Sequence, residues 1–443
     1  MEANSSVTIF KLKEHDSLKE KYPDYAAYFD SLAENGIVFS ETEYESVPVY
    51  LGVTSDFRAS FYIGVAWLCP KAESVKNGHK ALIVTPKMDN IDFTKMFLAA
   101  LKNPHASEYF SKFYGIAFNQ PLIESESLDN ILSPLLLVHY VFVLENLVKR
   151  GLKKDYVFRE ENLSSKVRGK ILVQKNIRVN TFHADRIFCR FQEYSIDTKE
   201  NRLLKKALLF SSKMLKTLNF GNSDDKNCLE QKINKLAAHF EFVSDRIEPS
   251  EVQSVKANKC YKEYILAIKI AKMILRRYDY SIDKAGSKSE SVPPFWIDMS
   301  RLYEVYVYSL LEKAYPNEIE FQVAGHCKSA VDFIKKDEKL IMDTKYKPQY
   351  NDSNKRILSD IREISGYARD WKILRHLKIS VDDVEEVKCL IIYPEPIKLE
   401  SDDESDSDCQ SVSDFSEKSV LKNAVQIRGF RNFYKISVQM PII

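Results

Sequence analysis

The chain has 443 residues, enough for roughly two to four domains, and its 44% hydrophobic and 29% charged residues, with 24 Tyr and 25 Phe, are those of a folded globular protein rather than a disordered or fibrous one. Net charge is +2, but the stretch Glu400–Glu417 holds eight acids and no base, so the remainder carries +10 and is compatible with a polyanionic partner. Seven cysteines lie far apart without a C-x-x-C pair, which argues against a disulfide framework and structural zinc and fits a reducing, cytoplasmic setting.

In chain order, the first hundred residues alternate strand-like runs, GIVFS, FYIGVAWLC and ALIVTP, with helical pieces at 25–33 and 92–101. No basic-then-apolar leader opens MEANSSVTIFKLKEHD, so no secretory signal is expected. The longest apolar run, 131–148, is broken by Ser133, Pro134, His139 and Glu145 and reads as a buried helix rather than a membrane span. YVFREENLSSKVRGKILVQKNI, with turn formers Asn162, Ser164 and Gly169, predicts two strands joined as a hairpin. From Asp197 the pattern is helical, with Asp197–Glu200 as a capping box and further helices at 229–243 and 261–278.

The Ser-, Gly- and Pro-bearing stretch 283–294 is the best linker. Beyond it the order is a helix at 297–314, strands at 319–323, 330–334 and 339–345, a helix at 354–374, a strand at 387–393, and two short strands at 424–428 and 434–439. The expected fold class is therefore α+β and multidomain: an N-terminal α+β interaction module (1–130), a mainly helical connector with a β-hairpin (131–285), and a C-terminal α/β domain on a mixed sheet (286–443). The acidic insertion 400–417 reads as a disordered loop within the last of these.

One stretch concentrates chemistry. VDFIKKDEKLIMDTKYKP places Asp332, Asp343 and Lys345 in or beside two runs of core-type residues. Alternate strand residues share a face, so Asp343 and Lys345 point the same way, and a hairpin would bring Asp332 close. Two carboxylates suffice to hold Mg²⁺ against a phosphate, and a lysine can orient water and offset negative charge, which are the elements of phosphodiester hydrolysis. Glu304, in an aromatic and aliphatic helical row, is a further candidate ligand. The plain alternatives are a surface ion pair at a strand end and a solvated helix position. Asp-x-Lys also occurs at Asp337–Lys339, so the motif alone decides nothing; its setting inside apolar runs does, because charges there are costly unless paired or bound to metal.

These residues resemble the PD-(D/E)XK nuclease signature and, more specifically, the McrC family of McrBC-type, modification-dependent restriction systems. Supporting pieces are VRGKILVQKNI, TKENRLLKKAL, IDMSRLYEVYV, VDFI, IMDTKYK and IIYP, spread over about two thirds of the chain. The resemblance implies a C-terminal restriction-endonuclease-like domain, Mg²⁺ held by Asp332 and Asp343, and Lys345 assisting the water. It also implies a McrB-like AAA+ GTPase as partner, double-stranded DNA as substrate, and an N-terminal region that docks on the motor. Val331 stands where the family has Pro, Thr344 where Ala is usual, and Glu363 where relatives often carry Gln ahead of a Tyr, so Glu363 is an additional candidate carboxylate. Lys347, Lys355 and Arg356 are candidates for the DNA backbone, or an ordinary solvated basic face.

The leading expectation is thus a Mg²⁺-dependent endonuclease subunit driven by a separate GTPase, since no Walker G-x-x-x-x-G-K-[ST] occurs. A non-catalytic subunit that activates the motor, or a stand-alone nuclease of the same fold, are the competing expectations. Cutting both strands needs two nuclease centres, hence two copies or successive nicks, and no membrane partner is expected.

Overall fold

In a computed structural model the described residues are 8–34, 49–68, 80–102, 113–117, 120–125, 128–217, 223–252, 262–283, 291–326, 330–347, 355–380, 386–395, 411–416 and 418–442. GIVFS and most of the linker lie outside them. In chain order come β1 (Ile9–Lys13), α1 (Leu18–Lys21), α2 (Ala26–Glu34), β2 (Tyr62–Leu68), β3 (Lys80–Thr85), α3 (Phe93–Lys102), β4 (Tyr114–Ile116), β5 (Ile123–Glu124) and α4 (Asp129–Arg150). Next are β6 (Asp155–Ser164), β7 (Lys170–Ile171), α5 (Val173–Asn180), β8 (Arg186–Ser195), α6 (Lys199–Thr217), α7 (Ser223–His239) and α8 (Lys262–Asp283). The chain ends with β9 (Ser291–Val292), β10 (Phe295–Asp298), α9 (Met299–Ala314), β11 (Ile319–Ala324), β12 (Ala330–Lys335), β13 (Leu340–Thr344), α10 (Lys355–Tyr367), α11 (Trp371–Leu377), β14 (Lys388–Pro394), β15 (Val425–Gln426) and β16 (Phe433–Val438).

The chain forms two compact units, one of residues 1–135 with 289–443 and the other of 136–288. The first unit is discontinuous in sequence because β10, which follows the second unit, completes the N-terminal sheet in the order β1-β3-β2-β10-β4. FWID, whose last two residues were expected to open the helix at 297–314, is a strand paired antiparallel with both β2 and β4. Gly64 makes that pairing feasible: a Cβ there would sit 2.1 Å from the Phe295 carbonyl oxygen, and its φ of +138° is one that side-chain-bearing residues avoid.

Asp298 ends β10 and caps α9, its carboxylate accepting the Arg301 N–H at 3.0 Å. α9 is buried on nearly every side, including Leu302, Tyr303, Val305, Tyr306, Val307, Tyr308 and Leu311. It leads into a six-stranded mixed sheet of order β11-β12-β13-β14-β16-β15, in which β11, β12 and β13 run antiparallel to their neighbours and β13, β14 and β16 run parallel. One face of the sheet is layered with α9, whose Tyr308 ring stacks on Phe321 and Phe333 at 4.4 and 5.9 Å. Ile334 and Ile341, of the opposite parity, pack with Ile357, Ile361 and Ile364 of α10.

Elsewhere in this unit two expectations are corrected. The predicted helix 354–374 is two helices, because Asp370 caps a new one by accepting the Lys372 N–H at 2.8 Å. Of the acidic insertion, 400–410 and 417 lie outside the described residues, but 411–416 is not a disordered loop: Val412 bridges Val438, Phe415 is buried, and Asp414 pairs with Lys313 at 2.8 Å.

In the second unit, β6 pairs along its whole length with β8, not with the KILVQKNI segment, which supplies only the short β7 before turning into α5. The alternation of Ile187, Cys189 and Phe191 gives β8 an inward face that KILVQKNI lacks, and buried Asn180 ties α5 down through Asn162, Asn176 and the Arg186 carbonyl. The capping residue of α6 is Thr198 rather than Asp197, which binds Arg202 instead, at 2.7 Å. The one described helix long and apolar enough to cross a membrane, 131–150, has most of its apolar window buried within the protein.

Burial pushes the Asp298 carboxyl up to about 6, so its ionisation opposes folding. The unfolded value lies near 4, so this cost is absent at pH below about 4 and grows as pH rises to about 6. Asp298→Asn keeps a capping side chain without the charge. Its melting temperature is expected to gain on wild type between acid and neutral pH, by the equivalent of about 1–3 kcal/mol, as read by thermal denaturation across that range; a pH-independent difference would contradict the assignment.

Candidate active site at the open end of the central hairpin

The β12–β13 ladder runs through Lys335↔Leu340, Ile334↔Ile341 and Phe333↔Met342. One step further the register sets Asp332 opposite Asp343, on the face shared with Ile334 and Ile341. There the Asp332 carboxylate takes the place of a backbone acceptor: its Oδ2 receives the Thr344 N–H at 2.7 Å and the Thr344 hydroxyl at 2.6 Å. Asp343 is 4% exposed, and the Lys345 ammonium lies 2.8 Å from its Oδ2. That oxygen is enclosed by the protein, and the Lys345 ammonium beside it offsets its charge.

Lys345 Nζ also donates to Glu363 Oε2 at 2.8 Å, and Tyr367 donates to Glu363 Oε1 at 3.1 Å. Glu304 enters from α9, its Oε1 accepting from Gln322 Nε2, which lies 3.5 Å from Asp332 Oδ1. The structure thus brings together Asp332, Asp343, Lys345, Glu304 and Glu363, from the helices on both faces of the sheet. Four carboxyls meet one ammonium. Burial first, then the neighbouring Asp332 charge, drives Asp343 up to about 8 against the pull of Lys345, and raises Glu304 well above the usual carboxylate range. Asp332 is raised by burial despite its two bonds from Thr344. Burial would lower Lys345, but Asp343 and Glu363 overcome it and raise it, and Lys345 in turn holds Glu363 down against burial.

Gln322 and Tyr346 were not singled out by sequence reasoning, and Thr344 was noted only as standing where Ala is usual. Gln322 carries a φ of +52°, a left-handed conformation that is uncommon for a residue with a side chain and that costs about 1–3 kcal/mol. It is skipped in the β11–β12 ladder, which runs from Phe321↔Phe333 to Val323↔Val331, and its amide reaches both Glu304 and Asp332. No sequence signal announces such a position.

Of the basic candidates, Lys347 is already paired with the buried Asp360 at 2.7 Å, and the side chains of Lys355 and Arg356 lie outside the described residues. The Asp337–Lys339 match is structural. Asp337 joins Glu318 in neutralising buried Lys335, Glu338 accepts from Ser419 and Val420, and Lys339 pairs with Glu386. His326 is fastened to Asp370 by its N–H at 2.6 Å and its ring at 2.8 Å.

The donor set fits a hard divalent cation in two respects: its carboxylates offer oxygen alone, and they outnumber the ammonium they share. Among the described residues, no three His, Cys, Asp or Glu side chains converge as a ready-made metal cage, and Mg²⁺ can be held by one or two carboxylates with waters.

A mixed-sheet α+β protein with a buried two-carboxylate and lysine set on its central hairpin is the class that fold and site define. Residues 72–369, two thirds of the chain, match the model of the McrBC 5-methylcytosine restriction system component, and the chain belongs to that family. Two solved structures from Thermococcus gammatolerans are similar to it. One is a half-complex from a tetradecameric assembly of McrB AAA+ hexamers with bound McrC, at 15% identity over 98% of this chain and 95% of that one with a TM-score of 0.38. The other is the McrBC complex, at 16% identity over 69% of this chain and 88% of that one with a TM-score of 0.29. No curated protein matches the chain.

Gln322→Leu removes the amide between Glu304 and Asp332 and leaves both acceptors without it. Unfolding free energy is expected to fall by about 1–3 kcal/mol, and Glu304→Gln in the same background should restore part of it. Urea denaturation of the single and double variants measures both; strictly additive losses would mean that the two residues are not coupled.

Proposed function

We propose that this chain is the endonuclease subunit of a GTP-dependent restriction complex, hydrolysing phosphodiester bonds of double-stranded DNA with Mg²⁺ and stimulating a McrB-like AAA+ GTPase partner. The observation that carries the nuclease reading is the convergence of Asp332, Asp343 and Lys345, with Asp343 buried and its Oδ2 2.8 Å from the Lys345 ammonium. Family membership and the McrB-bound character of the similar complexes support the partner.

Asp332 and Asp343 would hold the metal, with Glu304 or Glu363 as additional carboxylates. Bound there, Mg²⁺ supplies charge stabilisation at the phosphoryl oxygens and a more acidic water. Lys345, fixed between Asp343 and Glu363, orients the attacking water through its N–H donors and offsets the negative charge that grows on the phosphoryl group. Thr344 holds Asp332 by two bonds to Oδ2, while Oδ1 is met by the Gln322 amide at 3.5 Å. Lys355 and Arg356 stay candidates for the DNA backbone, whereas Lys347 is engaged by buried Asp360, and residues 1–130 are given to docking on the motor. Two nuclease centres, from paired complexes, account for cutting both strands.

A second reading keeps the fold as a scaffold that activates the motor without cutting. The absence of a three-ligand cluster among the described residues is the observation in its favour.

Plasmid DNA incubated with Mg²⁺, this chain, its AAA+ partner and GTP separates the two. Cleavage is expected for wild type and a loss of more than about a hundredfold for Asp343→Ala. Equal cutting by the variant removes the catalytic assignment, and accelerated GTP turnover without any cutting selects the scaffold reading.

A further inference from the structure

We propose that the N-terminal sheet supplies positioning residues to this site: Glu14, just after β1, and Lys87, just after β3, hold Lys345 in place by clamping its neighbour Tyr346. The catalytic consequence rests on the nuclease reading above, while the clamp itself is a matter of geometry within one compact unit. Tyr346 is 7% exposed and is gripped at three points. Its carbonyl accepts from Lys87 Nζ at 2.8 Å, its ring lies 3.7 Å from the same ammonium, and its hydroxyl donates to Glu14 Oε2 at 3.2 Å. That oxygen also receives the Lys87 N–H at 2.9 Å, so the two residues of the N-terminal sheet are locked to each other as well as to Tyr346. Behind Tyr346 packs the ring of Tyr303 from α9, centroids 5.9 Å apart.

The backbone on either side is pinned too. Lys345 N–H donates to the Ile392 carbonyl of β14 at 2.8 Å, Lys347 N–H turns back to the Lys345 carbonyl at 2.7 Å, and Lys347 Nζ is held by Asp360. Tyr346 is therefore the central link of a three-residue turn whose first member is the lysine of the site.

Stability alone does not account for the polar members of the clamp. Glu14 is 4% exposed and its Oε1 is buried with no hydrogen-bond partner, a net cost that an apolar pair of the same volume would avoid. Burial also pulls the Lys87 ammonium down to about 8, with Glu14 opposing. Such groups are directional where an apolar contact is not, and directional bonds fix where the turn, and so Lys345, is placed. A displacement of about 1 Å at such a group is enough to cost two orders of magnitude in rate.

The test uses the full chain with its AAA+ partner, GTP and Mg²⁺. Lys87→Met keeps the aliphatic stem and removes the donor, Tyr346→Phe removes only the hydroxyl, and Lys87→Arg is the conservative control. Hydrogen exchange at the amides of 345–347 should quicken about tenfold or more in the first two variants with exchange in β2 and β3 unchanged. Cleavage kcat should fall about ten- to a hundredfold with KM for DNA unchanged, and Lys87→Arg should recover most of it. If Lys87→Met does not fold, Tyr346→Phe carries the comparison. Exchange at 345–347 within about twofold of wild type in the folded variants overturns the clamp. Quickened exchange in a chain whose wild type never cuts upholds the clamp and removes the nuclease reading instead.

Discussion

Everything at the site follows from one imbalance: four carboxyls, two from neighbouring strands and two from helices, gather round the Lys345 ammonium, with Asp343 enclosed among them. Inside a protein a charge without compensation is worth several kcal/mol of destabilisation. The protein meets that cost only in part, with Thr344 on Asp332, Gln322 between Glu304 and Asp332, and Lys345 between Asp343 and Glu363. Burial and mutual repulsion leave Asp343 raised to about 8, a value at which it holds a proton at neutral pH. That surplus of carboxylate is what the divalent ion of the proposed function would offset.

The rest of the first unit makes that imbalance tolerable. α9 starts at a capping aspartate and is buried on most sides, and Glu304, half-buried on it, is met by the Gln322 amide. β10, ahead of it, is bolted into the N-terminal sheet between β2 and β4. Glu14 and Lys87, leaving that same sheet, reach Tyr346. The N-terminal sheet and the six-stranded sheet are consequently joined at both ends of the site's framework, through the start of α9 and through the turn after β13. A C-terminal fragment cut at the linker would keep Asp332, Asp343 and Lys345 but lose the partners that fix two of their supports.

How much of this was legible in the sequence depends on the range of the interaction. The hairpin, its register and the pairing of Asp343 with Lys345 are local consequences of alternation and a short turn, and the strand bounds differ from expectation by only a residue at either end. What was missed is long-range. The last two residues of FWID look like the beginning of an amphipathic helix until β2 and β4 are present to flank them, and KILVQKNI looks like a strand until β8 outcompetes it for β6. In both places tertiary pairing overrode a plausible local pattern. Gln322 is the sharper case, since a left-handed glutamine has no signature in composition or spacing and is explained only by the two carboxylates it serves. The ordered end of the acidic insertion was hidden by its neighbours: charge density around it masked Val412 and Phe415, two apolar residues with a place in the fold.

The two Asp-x-Lys matches, six residues apart on one hairpin, separate motif from site. At the turn, Asp337 and Lys339 are themselves exposed, Asp337 compensating buried Lys335 and Lys339 pairing with Glu386, so water reaches both and nothing demands a further ligand. At the strand end, Asp343 is enclosed and its lysine is shared with a second acid. The side chains are the same; burial differs. A carboxylate at the turn can be satisfied by water whatever its neighbours are, whereas Asp343 can be satisfied only by what the fold brings to it, and the fold brings one lysine and three more acids. The proposed chemistry falls to the second, whose carboxyl is enclosed while the first lies open to water.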